Sequence, residues 1–133
     1  MTGVPLYVPD THALYWHFEK SVKLSTTARG IFDEAYAGRA VLVVSHIVLA
    51  ELFYLLQKHK KATAFGSVLS AMEGSPVYRT EGITLDDVRS LDVVSDIPEM
   101  HDRLIAIQAR RLGATVVTTD PELRASAHVK CVW

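Results

Sequence analysis

The chain has 133 residues, a length suited to one globular domain, and its 49% hydrophobic and 22% charged residues exclude a disordered chain. Lys and Arg total 14 against 15 Asp and Glu, so a net charge of −1 excludes nucleic-acid binding by bulk charge and leaves only a local patch. The single cysteine, Cys131, excludes an internal disulfide and a multi-cysteine metal site, and fits a reducing compartment.

In chain order, Val4 to Val8 reads as a short strand with Pro5 at its start, running into Asp10. A helical stretch around Ala13 to Phe18 follows, then a helix over Ser25 to Ala37 closed by Gly38. Ala40 to Val44 is a β-branched run short enough to be a buried strand, and Ser45 caps a helix reaching about Lys60. A further helix spans about Thr63 to Met72, ended by Gly74, Ser75 and Pro76, and Val77 to Ile83 reads as a strand.

Thr84 with Asp87 has capping-box spacing ahead of Leu85 to Leu91, and Asp96 with Glu99 repeats it ahead of Pro98 to Leu112. Gly113 ends that helix, Thr115 to Thr118 is a strand leading to Asp120, and Val129 to Val132 reads as a last strand. Strands that alternate with helices predict one α/β domain over 1–133 with a mainly parallel sheet. The start, MTGVPLYVPDT, lacks a signal-like basic and apolar stretch, and Ala40 to Leu56 is too polar to span a membrane. A soluble, cytoplasmic protein is expected.

Four acids stand out. Asp10 and Asp120 each lie just past the C-terminal end of a strand, where parallel sheets place their ligand crevice. At 100° per residue, Asp102 projects within the stripe of Ile105, Ala106, Ala109, Leu112 and Gly113, while Arg103, Arg110 and Arg111 point elsewhere. Glu51 shares its face with Ile47, Val48, Tyr54 and Leu55. Each has a plainer reading: Asp10 and Asp120 as turn or cap residues, Glu51 and Asp102 as members of structural ion pairs. Four converging carboxylates without matching positive charge would repel, and a hard divalent cation, Mg²⁺ or Mn²⁺, is their natural neutraliser. Such an ion, held by acids with a phosphate, suits hydrolysis of a phosphodiester.

VPDTHALYW at 8–16, SHIVLAEL at 45–52, HDRLIAIQARRLGA at 101–114 and VVTTD at 116–120 resemble, in order and spacing, the motifs of the PIN-domain family, particularly VapC-type toxins of toxin–antitoxin pairs. The resemblance implies a three-layer α/β/α sandwich and a Mg²⁺- or Mn²⁺-dependent endoribonuclease. Asp10, Glu51, Asp102 and Asp120 would bind the metal and activate water, with Thr11 and Thr118 in support. It also implies an RNA substrate, a cognate antitoxin and a homodimer. The chain departs from the many members with Asp-Pro three residues before the Asp-Arg pair, having Glu99 and Met100 instead; Glu99 is explained as a cap.

Lys58, Lys60 and Lys61, and Arg103, Arg110 and Arg111, are either solvated faces or phosphate-positioning groups, with Lys58, Arg103 and Arg110 as the candidate RNA contacts and Arg103 foremost. Tyr15 and Trp16 either stack bases or pack as an apolar flank. His12 is expected to pack or hydrogen-bond, and the remaining histidines, His101 included, have no metal-site spacing. Ser45 lacks a nucleophile elbow, and Cys131 reads as a small hydrophobe. The competing readings are a non-catalytic PIN-like module that binds RNA or protein, and an aspartyl phosphotransferase, which commonly needs a second acid where His12 stands.

Overall fold

β-branched side chains are stiff and pack well on a pleated surface, and Val41, Val43, Val44, Val116 and Val117 lie in a five-stranded sheet in the computed structural model, which describes residues 3–133. The first two residues, part of the start read as lacking a signal, lie outside the described residues. The strands are β1 (Leu6–Pro9), β2 (Val41–Ser45), β3 (Tyr78–Glu81), β4 (Thr115–Val117) and β5 (Cys131–Val132). Every pairing in the order β3-β2-β1-β4-β5 is parallel. Parallel strands are covered on both faces; accordingly Val8, Leu42, Val44, Val116 and Val117 are fully buried.

The helices are α1 (Thr11–Phe18), α2 (Thr26–Tyr36), α3 (His46–Lys58), α4 (Phe65–Glu73), α5 (Leu85–Arg89), α6 (Met100–Leu112) and α7 (Pro121–Arg124). The chain moves from β1 through β2 to β3 in one direction, then returns so that β4 pairs with the other edge of β1. Right-handed crossovers then put α1 to α4 over one face and α5 and α6 over the other, giving the three layers. Consistent with this, α2 and α3 pack on β2, and α6 packs on β1 and β4. Among the described residues no helix is long and apolar enough to cross a membrane.

Ends differ from the sequence reading where local chemistry intervenes. Val4 is exposed and β1 begins at Leu6, after Pro5, whose carbonyl still accepts from the Val41 N–H at 3.0 Å. The turn Ala62–Ala64 is 3₁₀, so α4 starts at Phe65; β3 stops at Glu81, and β5 holds two residues. Ser45 and the Thr84–Asp87 box cap their helices as read, and Ser25, read as the first residue of its helix, is the N-cap of α2. Asp96 does not. Pro98 disfavours a helical conformation at Ile97, so α6 starts later with Glu99 as its N-cap, accepting from the Asp102 N–H at 2.9 Å. Asp96 instead accepts from the Ser126 hydroxyl and the Ala127 N–H, both at 3.0 Å. Gly113 takes the left-handed φ of +66° that closes α6, and the Ala114 N–H reaches the Ala109 carbonyl at 2.8 Å.

Among the described residues Asp87 is the one fully buried acid, 1% exposed, and takes the Arg111 guanidinium at 2.8 and 3.1 Å besides the Thr84 N–H at 2.9 Å. Asp87→Ala removes the half of the capping box that accepts from the Thr84 N–H and leaves Arg111 with only Glu81, 3.9 Å away, so urea unfolding should show a loss of about 3 kcal/mol; a loss below about 1 kcal/mol would contradict this account of α5.

Candidate active site

The reversal of strand order leaves a crevice at the carboxyl ends of β1 and β4, the place where open parallel sheets bind ligands. A cavity of about 510 Å³ opens there, and Asp10, Glu51, Asp102 and Asp120 all line it, together with Thr11 and Lys58. The four acids come from four elements: the ends of β1 and β4, the middle of α3 and the first turn of α6.

Asp10 is fixed first by the sheet. Its N–H continues the ladder to the Val117 carbonyl at 3.0 Å, while the Thr118 N–H bonds the Val132 carbonyl at 3.1 Å. Its Oδ1 then caps α1 through the Ala13 N–H at 2.8 Å, and its Oδ2 accepts from the buried Thr118 hydroxyl. Asp120 caps the short α7 at 2.8 Å from the Glu122 N–H and donates its own N–H to Thr118 Oγ1 at 2.9 Å. Glu51 accepts from the Thr11 hydroxyl at 2.7 Å. The cap reading and the site reading of Asp10 and Asp120 therefore hold together, because a carboxylate oxygen that accepts one hydrogen bond keeps a second lone pair. Thr11 and Thr118 are buried hydroxyls that orient two of the acids.

Electrostatics sets this cluster apart from an ordinary ion-pair network. Among the described residues none of the four acids pairs with a Lys or Arg; Lys58 lines the cavity without an ion pair, and the His101 Nδ1 stands 3.8 Å from Glu51 and 3.0 Å from Glu99. Burial pushes the Asp102 carboxyl up to about 7, and the neighbouring charges of Asp120, Glu99 and Glu51 add to the shift. Burial also raises Asp10, against the opposing hydrogen bonds from Thr118 and Ala13. Structural ion pairs at Glu51 and Asp102 are thus replaced by uncompensated carboxylates.

The donor set is hard oxygen, short of positive charge, and so fits a divalent cation of the Mg²⁺ or Mn²⁺ type. It is not a closed cage: among the described residues no three His, Cys, Asp or Glu side chains stand close enough to hold an ion by themselves. That agrees with an ion that takes one or two carboxylates directly and completes its shell with water and a phosphate.

The basic residues divide. Lys58 lines the cavity. Arg103 turns away from it and donates to the backbone carbonyls of Ile97 and Ser95, which ties the loop before α6 to that helix. Arg110, near the C-terminal end of α6, donates to the His128 carbonyl, and Arg111 pairs with Asp87. Loops beside a helix offer free carbonyls, and the guanidinium groups of Arg103 and Arg110 satisfy those of Ile97, Ser95 and His128, while neither residue lines the acid cavity. Tyr54, on the face of α3 that Glu51 shares, lines the cavity and is 68% exposed. Glu99 and His101 are site neighbours that the sequence reading missed. Glu99 is both the cap of α6 and a wall of the cavity, and its charge helps raise Asp102; its place beside the first turn that holds Asp102 was the available signal. Cys131 is partly buried, with its thiol pushed up to about 11 by burial, as suits a small hydrophobe.

The model of the PIN domain family matches residues 7–129. No curated protein matches the chain by sequence. Among solved structures, VapBC2 from Rickettsia felis, bound to a DNA fragment from its promoter, superposes with a TM-score of 0.73 at 21% identity over 96% of this chain and 98% of that one. VapC20 from Mycobacterium tuberculosis, a toxin that cleaves the sarcin–ricin loop, gives 0.65 at 20% identity over 94% and 97%. A toxin–antitoxin complex from Klebsiella pneumoniae gives 0.65 at 16% identity over 96% of each chain. At these identities the likeness is one of fold.

A half-buried carboxyl raised to about 7 makes the metal-free protein sensitive to pH in a defined sense. Its neutral form is favoured on folding, so its contribution is full below the unfolded value near 3.8 and is lost as pH rises through about 7. Asp102→Asn should therefore match its parent near pH 4 and exceed it by ~2 kcal/mol at pH 8, allowing for solvent screening. Mn²⁺ should raise the melting temperature of the parent at pH 8 and leave that of the variant nearly unchanged. A variant less stable than its parent at pH 8 would contradict the electrostatic account.

Proposed function

The chain belongs to the PIN domain family, and from that membership we propose that it is a Mg²⁺- or Mn²⁺-dependent endoribonuclease, the toxin of a VapBC-type toxin–antitoxin pair. The observation that carries the reading is the gathering of Asp10, Glu51, Asp102 and Asp120 in one cavity, with the Asp102 carboxyl pushed up to about 7 and, among the described residues, no Lys or Arg paired to any of the four. A structural cluster of acids would be expected to carry its own countercharge. The solved complexes of similar fold support the toxin–antitoxin setting, and the RNA-cleaving toxin among them supports RNA as the substrate. A small antitoxin, a homodimeric assembly and a cytoplasmic location belong to the same reading.

Asp10, Glu51, Asp102 and Asp120 are the groups that would hold the metal, either directly or through water. When bound, such an ion lowers the pKa of a water for in-line attack and stabilises the leaving oxygen of the phosphodiester. The side chains of this chain have separate tasks. Ala13 and Thr118 fix the two Asp10 oxygens and Thr11 fixes one Glu51 oxygen, so both carboxylates keep a set rotamer, and each Asp10 oxygen retains a lone pair while Glu51 retains its second oxygen. Asp102, raised by burial and by the charges of Asp120, Glu99 and Glu51, is the acid whose ionised form a bound cation would most favour. Lys58 at the wall would meet the phosphate.

Purified protein with Mn²⁺ should cleave labelled RNA, and Asp10→Asn and Asp102→Asn should each slow cleavage by about a hundredfold or more. Asparagine remains a good N-cap, so Asp10→Asn tests the charge without removing the start of α1. Equal cleavage by both variants would defeat the reading, and RNA bound but uncut under all conditions would favour a binding module.

A further inference from the structure

Beyond His12 the wall of the acid cavity continues into a second hollow of about 460 Å³. His12 and Leu55 line both, so the two spaces adjoin. The second is walled by rings. His12, Tyr15, Trp16 and Glu19 stand on α1 and its C-cap at helical spacing i, i+3, i+4 and i+7, which puts them on one face, and His59 reaches the same hollow from the C-cap of α3.

The rings are neither core nor freely exposed. Tyr15 and Trp16 are half-buried, whereas His12 and His59 are exposed. Tyr15 stacks on His59 with centroids 5.5 Å apart and planes 16° apart. Trp16 is braced by Trp133 at 5.7 Å, edge on, and by His12 at 5.5 Å. Two ammonium groups stand over this platform, Lys23 at 5.9 Å from the Trp16 ring and Lys61 at 5.8 Å from that of Tyr15. Glu19 neutralises Lys61 in part, while Lys23 makes no ion pair among the described residues.

We propose that this hollow is a nucleobase subsite: one base of single-stranded RNA stacks on the Trp16 and His59 platform while the adjoining phosphate lies among the acids. The inference rests on the nuclease reading for the position of that phosphate. Aromatic faces give sequence-tolerant stacking, and cations beside them meet the backbone. Positive charge stands beside the rings, Lys23 in the second hollow and Lys61 over Tyr15, whereas the first hollow holds five acids and Lys58; a polyanion therefore meets lysines at the rings and needs a divalent cation among the acids, a division of charge that an apolar protein segment would not use. The chain as a whole has no bulk positive charge, so affinity for RNA has to come from such a local arrangement.

The test measures binding apart from cleavage. A fluorescein-labelled single-stranded RNA decamer is titrated with the protein in Ca²⁺, a hard cation that offsets the acids, at one fixed salt concentration and with intact RNA verified after each titration, alongside decamers carrying a single abasic position. Trp16→Ala and His59→Ala should each weaken binding about tenfold, and Trp16→Phe, which keeps a ring, by less than about threefold. In a companion salt series, Lys23→Ala should reduce the salt slope by about one. An abasic position should weaken the parent and leave the His59→Ala variant little changed. His59 is exposed, so that variant carries the test where Trp16→Ala fails to fold. Cleavage in Mn²⁺ is followed separately on the same RNA. Binding that is indifferent to both rings and to abasic positions overturns the subsite, even if the RNA is cut. Ring-dependent binding without cleavage upholds the subsite and counts against the nuclease reading instead. Protection of Trp16 by a protein partner, with no RNA bound, also overturns the subsite.

Discussion

β1 stands between two crossover families that leave the sheet in opposite senses, and the placement of every acid in the cavity depends on that reversal. Neighbouring strands whose connections go to opposite faces cannot both be roofed at their carboxyl ends, so a crevice opens between β1 and β4. The ladder bond from the Asp10 N–H to Val117 and the side-chain bond from Thr118 to Asp10 bind the two strand ends together at that opening. Backbone order is thereby converted into the placement of charge. Asp120 stands two residues beyond Thr118, and α6, packed on both strands, brings Asp102 to the same mouth.

Gathering these acids opposes folding. Burial and mutual repulsion raise Asp102 and burial raises Asp10, and neither is relieved by an ion pair. The penalty is tolerable because it is confined to one edge. Behind it lies an apolar layer including Val8, Leu14, Phe32, Val44, Ile105 and Val116, all almost wholly inaccessible to solvent. Burial of that surface stabilises the fold by the usual area-proportional term and offsets a local electrostatic strain of a few kcal/mol. The cavity is left with two ways to relax, uptake of a proton or association with a cation, and the proposed chemistry uses the second.

Much of this arrangement is legible in the amino-acid sequence. The parallel α/β sheet follows from β-branched runs alternating with helical periodicity, and the four acids from their places after strands or within apolar stripes. Thr84 and Asp87 form their box as spaced, because both partners of a capping box lie within one turn. The failures share a cause. Asp96 and Glu99 have the same spacing, yet Pro98 shifts the helix start, and Asp96 bonds the distant Ser126 and Ala127, a contact that no local pattern carries. Arg103 and Arg110 likewise depend on carbonyls whose positions only tertiary structure fixes. Glu99 and His101 are hidden by their ordinary local explanation, since a residue that caps a helix can also wall a cavity.

α6 acts as a ruler. Gly113 clamps one end to the start of β4, and Asp102 sits in the first turn at the other, so the span between them is set in whole residues. Adding or removing a single residue within that span would turn Asp102 by about 100° and shift it by about 1.5 Å, carrying it off the stripe that faces the sheet. Loops elsewhere on the molecule can drift in length, but this helix is held to a fixed count by the address of one oxygen pair.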